Sequence, residues 1–269
     1  MSPSSVSFSR RGLFKVAALA ATAGVAATTV AAAPRAAAQS GSLGVVIDYS
    51  AGVPSAAAVK EAGYLGAVRY VSEARADWML GKPIRRAEAQ DFAAHGLAVA
   101  SVYQYGKDGT ADWVQGATGA ATHAPQAIYY HQAAGGPTGR PIYIAIDDNP
   151  SRWQYDNQIK PYLQAFSTTL RAAGYRTGIY GNYQVIDWAV ADGIGEYFWM
   201  HNWGHRQDAH PEAALHQVRI DKDSVDGVGI DINYVYREDW GQWTPGQSDA
   251  SLSALLPELD FSLLNQLSS

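Results

Sequence analysis

The sequence contains no cysteine among its 269 residues. This absence excludes a disulfide framework, a thiolate nucleophile and any metal site that depends on cysteine ligands. The chain also has no excess of basic residues, because 20 lysines and arginines are outnumbered by 25 aspartates and glutamates. A protein with this charge balance is not expected to bind nucleic acid through a general electrostatic attraction.

Motifs for several common cofactors and nucleophiles are missing as well. The sequence has no phosphate-binding GxxxxGK[ST] loop and no GxSxG nucleophile elbow. Gly227-Val228-Gly229 lacks the third glycine of a dinucleotide-binding fingerprint. His201 and His205 have the i,i+4 spacing of metal ligands, with His210 nearby, but Trp203-Gly204 between them indicates a loop. We therefore expect no cofactor and no metal, and hydrogen-bonding roles for these histidines.

The first 38 residues differ in composition from the rest of the chain. A basic stretch with Arg10-Arg11 is followed by a run of Ala, Val and Thr without any acidic residue, which is typical of a signal peptide. The paired arginines resemble a twin-arginine export signal. The alternatives are an ordinary secretory signal and a membrane anchor, and the weak apolarity of Ala and Thr disfavours the anchor. Small residues predict cleavage after Ala38, with residues 31–33 as a second choice.

We therefore divide the chain into a twin-arginine signal peptide at 1–38, a globular region at 39–243 and a tail at 244–269. Removal of the signal leaves 16 basic and 25 acidic residues, a net charge of −9, and retains all 8 tryptophans. The twin-arginine route carries folded proteins, and the absence of cysteine agrees with it because no disulfide has to form outside the cell. We expect a secreted monomer, extracellular or associated with the cell wall, without a membrane span after cleavage.

Short apolar runs alternate with helical patterns along residues 39–243. Most runs are continuous rather than alternating, which indicates a parallel sheet covered by helices on both faces. The predicted strands are 43–48, 67–71, 97–103, 141–147, 177–180, 196–201, 214–220 and 228–232. Eight strands favour an α/β fold of the (β/α)8 TIM-barrel type, irregular in its last three units, with a doubly wound open sheet as the alternative. Pro125 is expected to interrupt the helix predicted over 112–134.

Three of the predicted strands end in aspartates, namely Asp48, Asp147 and Asp231. In a barrel the carboxyl ends of the strands lie at one open face, and the first and eighth strands are neighbours. Asp48 and Asp231 are therefore predicted to lie close together, with Asp147 facing them. Paired carboxylates provide the acid and the base or nucleophile of glycoside hydrolysis, so the three are candidate catalytic residues. The alternative is that such aspartates cap helices and turns.

Aromatic and polar side chains concentrate at the same strand ends. Aromatic rings pack against the C–H faces of sugars, and amides or imidazoles can bind sugar hydroxyls. The candidate substrate-binding residues are Tyr103, Gln104, Tyr180, Asn182, Trp199, His201, Trp203 and Gln217. The alternative is that the rings fill core space between barrel and helices. We expect core filling in particular for Trp78, Trp113, Trp153 and Trp188, which fall in predicted helices or loops.

Six stretches, in order along residues 43–236, resemble a family of secreted actinobacterial proteins with a glycoside-hydrolase-like domain. They are Ile47-Asp48-Tyr49-Ser50, Ala67-Val68-Arg69-Tyr70, Gly96-Leu97 with Val102-Tyr103, Ile142-Tyr143-Ile144-Ala145-Ile146-Asp147, Gly178-Ile179-Tyr180-Gly181 and Gly229-Ile230-Asp231-Ile232-Asn233. The resemblance implies an irregular barrel related to the family 25 lysozymes, which cleave the glycan strand of peptidoglycan. Cell-wall glycan is then the expected partner.

One position departs from the lysozyme pattern. Those enzymes end their fourth strand in Asp-x-Glu with the glutamate as the acid, whereas here Asn149 follows Asp147 at that spacing. An amide cannot donate a proton as a carboxylic acid does. The proton donor would then be Asp148 or another acid, with Glu73 as one candidate.

Two hypotheses about function follow. In the first, the protein is a cell-wall glycoside hydrolase in which Asp147 acts as base, nucleophile or stabiliser, while Asp48 and Asp231 hold sugar or water. In the second, it is a non-catalytic module that binds glycan or remodels the envelope on a degenerate barrel, because a fold by itself does not imply catalysis.

Overall fold

Eight strands form a closed barrel in sequence order. The computed structural model describes residues 41–246, so the predicted signal peptide and most of the predicted tail lie outside the described residues. The strands are β1 (Gly44–Asp48), β2 (Gly66–Tyr70), β3 (Ala98–Tyr103), β4 (Pro141–Ala145), β5 (Arg176–Gly181), β6 (Tyr197–His201), β7 (Ala213–Val225) and β8 (Val228–Val235). The predicted TIM-type barrel is confirmed, and an open sheet is excluded.

Helices connect the first six strands. They are α1 (Ala56–Glu61), α2 (Arg86–Ala94), α3 (Ala117–Ala134), α4 (Arg152–Gln154), α5 (Lys160–Ala172) and α6 (Tyr183–Ala191). Two 3-10 turns, Asp108–Thr110 and Asp112–Gln115, precede α3, and a π-helical turn at Tyr155–Ile159 joins α4 to α5. Within the described range, β6 passes to β7 and β7 to β8 without a helix, so the predicted irregularity lies in these last connections. None of these helices has the length and apolarity that a membrane crossing requires.

The helix α3 corrects the expectation for Pro125. It runs from Ala117 to Ala134 with Pro125 inside it. Proline removes one backbone donor from a helix, but Pro125 lies on the exposed side, where its ring faces water rather than packed side chains. The helix ends at Gly135, whose φ of 93° is readily adopted by glycine.

Side chains alternate along each strand between the barrel interior and the layer under the helices. Val46, Val68 and Trp199 belong to the interior cluster, whereas Ile47 and Ile144 belong to the outer one, which also contains helix residues. Both faces of the strands are therefore covered. This explains why the strands read as continuous apolar runs in the sequence.

The last strand reverses the direction of the chain. Strands β1 to β7 are parallel to one another wherever they pair. The last strand, β8, is antiparallel to both of its neighbours, β7 and β1. The reversal occurs at Asp226 and Gly227, whose φ values of 53° and 74° are those of a tight hairpin turn. The prediction that Asp231 ends a strand was therefore wrong, because Asp231 lies within β8.

The amino end of the barrel is closed by the segment that follows β8. Trp243 and Val99 exchange backbone hydrogen bonds of 2.7 and 3.0 Å. The indole Nε1 of Trp243 donates to Ser101 Oγ at 3.0 Å. Trp240 belongs to the interior cluster, and its carbonyl accepts from the Tyr143 hydroxyl at 2.8 Å. Aromatic side chains and hydrogen bonds therefore close this end of the barrel.

Candidate active site

At the carboxyl end of the barrel, the inward-facing side chains change from apolar to polar. Several strands continue the alternation by two residues beyond their last apolar interior position, as from Val46 to Asp48 and from Ala145 to Asp147. The inward positions at this end are Asp48, Tyr70, Gln104, Asp147, Tyr180, His201 and Gln217. The polar cleft thus arises from strand periodicity, and it contains two of the three predicted acids.

The third acid, Asp231, enters from β8. In the antiparallel pairing of β1 with β8, Asp231 lies directly opposite Asp48. The amide Nε2 of Gln217 donates to Oδ2 of both carboxyls, at 2.8 Å to Asp48 and 3.3 Å to Asp231. Asn233 donates a second amide hydrogen bond to Asp48 at 2.8 Å, and Trp199 Nε1 fixes Asn233 at 2.7 Å. Asp48 and Asp231 therefore lie close together as predicted, although β8 runs antiparallel to β1 and not parallel to it.

The two carboxyls of this pair disfavour each other's ionisation. Burial raises the pKa of Asp48 to about 6, although hydrogen bonds from Asn233 and Gln217 act in the opposite direction. Burial and the neighbouring charge of Asp48 raise the pKa of Asp231 to about 8. Amide donors stabilise a charged carboxylate, and Asp48 receives two of them. The charged form is therefore better stabilised on Asp48 than on Asp231, and the pair resists the loss of both protons.

Asp147 has a different environment. Its Oδ2 accepts from Lys107 Nζ at 2.6 Å and from Gln104 Nε2 at 3.0 Å. Its Oδ1 lies 3.5 Å from the Tyr180 hydroxyl, which donates to Gln217 Oε1 at 2.7 Å. An ammonium group and an amide are partners suited to an ionised carboxylate. Tyr180 and Gln217 connect Asp147 to the pair of Asp48 and Asp231.

The residues after Asp147 lie outside this network. Asp148 accepts from Trp113 Nε1 at 3.3 Å, and burial together with the charge of Asp147 raises its pKa to about 6. Asn149 accepts from Asn182 Nδ2 at 2.8 Å. Glu73, the other acid considered, is exposed and accepts a hydrogen bond from Tyr130.

Several predicted substrate-binding residues are buried and engaged by protein. Tyr103 faces the helices, where its hydroxyl contacts Gln126 Oε1 at 2.8 Å. This corrects the prediction, because Gln104 faces the cleft and adjacent residues of a strand point to opposite sides. Asn182 caps α6 through a 2.8 Å hydrogen bond from Val185, and Trp199 is buried beneath Tyr180. These side chains position others instead of presenting a surface to a ligand.

His201 is also enclosed. Burial lowers its pKa to about 4, although backbone hydrogen bonds at Ile146 and Asp148 act in the opposite direction. Its ring stacks on Trp203 at 4.0 Å between centroids and 7° between planes. Trp203 is 37% exposed and is the predicted tryptophan that offers a free ring face. In residues 41–246, no group of three histidine or acidic side chains is arranged to hold a metal ion.

The exposed aromatics also differ from expectation. Trp78 and Trp153, predicted to fill core space, are 57% and 65% exposed, Trp78 on the loop after β2 and Trp153 in the short helix α4 after β4. Trp113 is buried as predicted. Loops that follow parallel strands lie at the carboxyl end of a barrel. Trp78, Trp153 and Trp203 therefore lie in the connections at the same end as the acids.

Two lysines and a tyrosine belong to the site but were missed in the sequence. Lys107 contacts Asp147, and Lys82 Nζ donates to the backbone oxygen of Gln104 at 3.0 Å. The same ammonium group lies 3.7 Å from the centroid of the Tyr70 ring. Tyr70 could have been found from strand alternation two residues after Val68. The lysines lie in loops, where no periodicity indicates direction.

Comparison with known proteins identifies the family. Residues 57–235 match the family described as Rv2525c-like, glycoside hydrolase-like domain. The chain belongs to this family. It is 52% identical over 223 residues to Rv2525c of Mycobacterium tuberculosis, a candidate peptidoglycan hydrolase. The aligned region covers 82% of this chain and 91% of the relative. The resemblance seen in the sequence is therefore confirmed.

Solved structures of Rv2525c-like proteins agree with this fold. The crystal structure of Tat-secreted Rv2525c with L-tartrate is 51% identical, has a TM-score of 0.72 and covers 76% of this chain and 100% of that chain. Its export confirms the predicted secreted or cell-wall location. The catalytic domain of endolysin ply40, from bacteriophage P40 of Listeria monocytogenes, has a TM-score of 0.51 at 13% identity, covering 79% and 96% of the two chains. The endolysin shares the fold.

Proposed function

We propose that this protein hydrolyses cell-wall glycan outside the cytoplasm, with Asp147 as the charged carboxylate and Asp231 as the proton donor. The observation that carries this proposal is the contrast between the two carboxyl environments in one cleft. Asp147 faces an ammonium group, while Asp231 faces the buried carboxyl of Asp48. Glycoside hydrolysis requires one carboxyl that stays protonated and one that stays charged. The description of Rv2525c as a candidate peptidoglycan hydrolase supports the same substrate class.

The hydrogen bonds suggest a role for each member of the network. Asp231 gives its proton to the leaving oxygen of the glycosidic bond, and Asp147 acts as base or nucleophile or stabilises positive charge on the sugar ring. Asp48 keeps Asp231 protonated, since two neighbouring carboxyls cannot both ionise easily. Tyr180 and Gln217 hold the two halves at a fixed separation. Trp203 offers a ring face to the sugar.

A second candidate function is glycan binding without hydrolysis. Lys107 and Gln104 both occupy Oδ2 of Asp147, and Asn149 stands where the related lysozymes carry their acid. A binding protein does not need a free carboxylate or a proton donor, so the hydrogen-bonded Asp147 and the amide of Asn149 would both be compatible with binding. In that case the aromatic loops would carry the function, and the acids would shape the cleft.

The test is incubation of the purified protein with peptidoglycan over a broad pH range, with new reducing ends detected by mass spectrometry. We expect Asp147→Asn and Asp231→Asn each to lower the rate by about 10²- to 10⁴-fold, the usual contribution of an acid or base. Asp187→Asn is the matched control and should leave the rate within about threefold, because Asp187 is an exposed aspartate on α6 outside the network.

Two outcomes would reject hydrolysis. The first is the absence of new reducing ends from the wild-type protein at every pH. The second is an unchanged rate in Asp147→Asn. If Trp203→Ala at the same time weakens glycan retention by about two- to tenfold, the binding function is supported instead.

A further inference from the structure

Lys82 carries a buried ammonium group beside the cleft. The residue is only 9% exposed. Its Nζ donates to the Gln104 backbone oxygen at 3.0 Å and lies over the Tyr70 ring. In the part of the chain that the structure describes, no carboxylate forms an ion pair with Lys82. A buried charge without a direct ion pair is costly, and burial with the charges of Arg75 and Arg69 lowers the pKa of Lys82 to about 7, although Asp112 and Asp147 act in the opposite direction. An anionic ligand would remove this cost.

A second ammonium group lies on the other side of Gln104. Lys107 Nζ contacts Asp147 Oδ2 at 2.6 Å, and Gln104 Nε2 contacts the same oxygen at 3.0 Å. Lys82 and Lys107 follow β2 and β3, which are adjacent strands, whereas the pair of Asp48 and Asp231 lies on β1 and β8. The two ammonium groups thus lie on the side of β2 and β3, next to Asp147, and the pair of Asp48 and Asp231 lies on the side of β1 and β8.

We propose that the cleft binds a sugar that carries a free carboxylate, and that Lys82 and Lys107 hold this carboxylate. The inference rests on the proposed action on glycan and specifies which glycan. The ligand would supply the counter-ion that Lys82 lacks. It would also compete with Asp147 for Lys107 and so free Asp147 to face the sugar ring. Because Asp147 already offsets one of the two ammonium charges, a single negative charge fits better than the double charge of a phosphate.

This preference would select one chemical form of peptidoglycan. The lactyl group of its muramic acid is either joined to a peptide through an amide or present as a free carboxylate, and only the second form is charged. The preferred substrate is then a glycan strand without its peptides. The reaction class that supplies it is amide hydrolysis, in which water cleaves the lactyl–peptide bond, leaves the carboxylate on the sugar and releases the amine.

The experiment compares two forms of one ligand by titration calorimetry with the purified protein. The first form is a muramic-acid-containing oligosaccharide with free carboxylates, and the second is the same oligosaccharide with its carboxylates converted to methylamides. We expect the acid form to bind at least about tenfold more tightly, as for a charge-assisted contact. Lys82→Met and Lys107→Met should each reduce this preference to less than about threefold, while Lys82→Arg retains it. Lys60→Met, on the exposed face of α1, is the control and should change nothing.

Equal affinity for the two forms, no binding of either form, or an unchanged preference in a folded Lys82→Met variant would overturn the proposal. Tighter binding of N-acetylglucosamine 6-phosphate than of N-acetylmuramic acid would also overturn it, in favour of a phosphate site. Binding and hydrolysis are read separately. A carboxylate preference without new reducing ends would reject hydrolysis and keep this inference. Equal cleavage of both forms would support hydrolysis and reject the carboxylate preference.

Discussion

The two ends of the barrel differ in the partners of their polar side chains. At the amino end, Trp243 and the Tyr143 hydroxyl each have a protein partner, and the segment after β8 seals the strands. At the carboxyl end, the carboxyls of Asp48 and Asp231 share one amide donor, the side chain of Gln217. Satisfied polar groups stabilise a fold, whereas incompletely satisfied ones leave interactions for a ligand. The comparison assigns stability to the first end and chemistry to the second.

The largest expected effect is a difference in unfolding free energy between substitutions at the two ends of the barrel. Trp243→Ala should lower the free energy of unfolding by about 3–5 kcal/mol, because it empties a fully buried site beside His131. Trp203→Ala, at the carboxyl end, is the matched control and should cost less than about 1 kcal/mol, since its ring is already in contact with water. Urea unfolding measures both. Equal losses in the two variants would contradict the assignment of stability to the amino end.

The next effect concerns pH and the pair of Asp48 and Asp231. The folded protein raises the pKa of Asp231 from 3.8 to about 8, so it holds a proton that the unfolded chain releases between these values. This stabilisation is fully present below pH 3.8 and is lost as the pH rises through about 8. Relative to Asp231→Asn, the wild type should therefore lose up to about 1.4 kcal/mol of unfolding free energy per pH unit within this window.

The difference between the two proteins reports the coupled pair of Asp48 and Asp231, because Lys82 and the histidines titrate in both. Their lowered pKa values act in the opposite sense, since a lysine or histidine held neutral in the folded state gains stability as the pH rises. Urea unfolding at several pH values measures the difference. Parallel stability profiles for wild type and Asp231→Asn would show that Asp231 carries no extra proton.

The smallest effect compares two buried tyrosine hydroxyls. Tyr180→Phe removes the hydroxyl that donates to Gln217 and approaches Asp147, and should cost about 1 kcal/mol of unfolding free energy. Tyr162→Phe removes a buried hydroxyl without a partner in residues 41–246, and should be neutral or stabilising. Thermal unfolding at constant pH measures both variants. A greater loss in Tyr162→Phe would contradict the proposed network.

The architecture could be predicted from the sequence because strand composition reports burial on both faces. The continuous run of Ile142 to Ile146 indicated β4, and closure of an eight-stranded barrel brought Asp48 close to Asp231. The direction of β8 was not predicted, although Asp226-Gly227 between two apolar runs is a hairpin signal. A hairpin at this position reverses the direction of β8 and therefore changes which end of β8 lies at the cleft.

The candidate site was predictable only in part, for two physical reasons. Tyr103 and Gln104 are neighbours, yet one faces the helices and the other the cleft, so an error of one residue in register exchanges their roles. Lys82 and Lys107 lie in loops, where the path of the backbone depends on tertiary contacts rather than on a repeating pattern. The sequence therefore indicated the acids and missed the cations.

The seam between β8 and β1 has a consequence for the timing of folding. The hydrogen bond from Asn233 to Asp48 joins residues 185 positions apart, so it forms only when the two ends of the barrel meet. Contacts between such distant residues form late, because the entropy of closing the intervening loop must first be overcome. The pair of Asp48 and Asp231 is consequently assembled last. A chain that has not completed its barrel lacks this pair, so the proposed activity would report that closure has occurred.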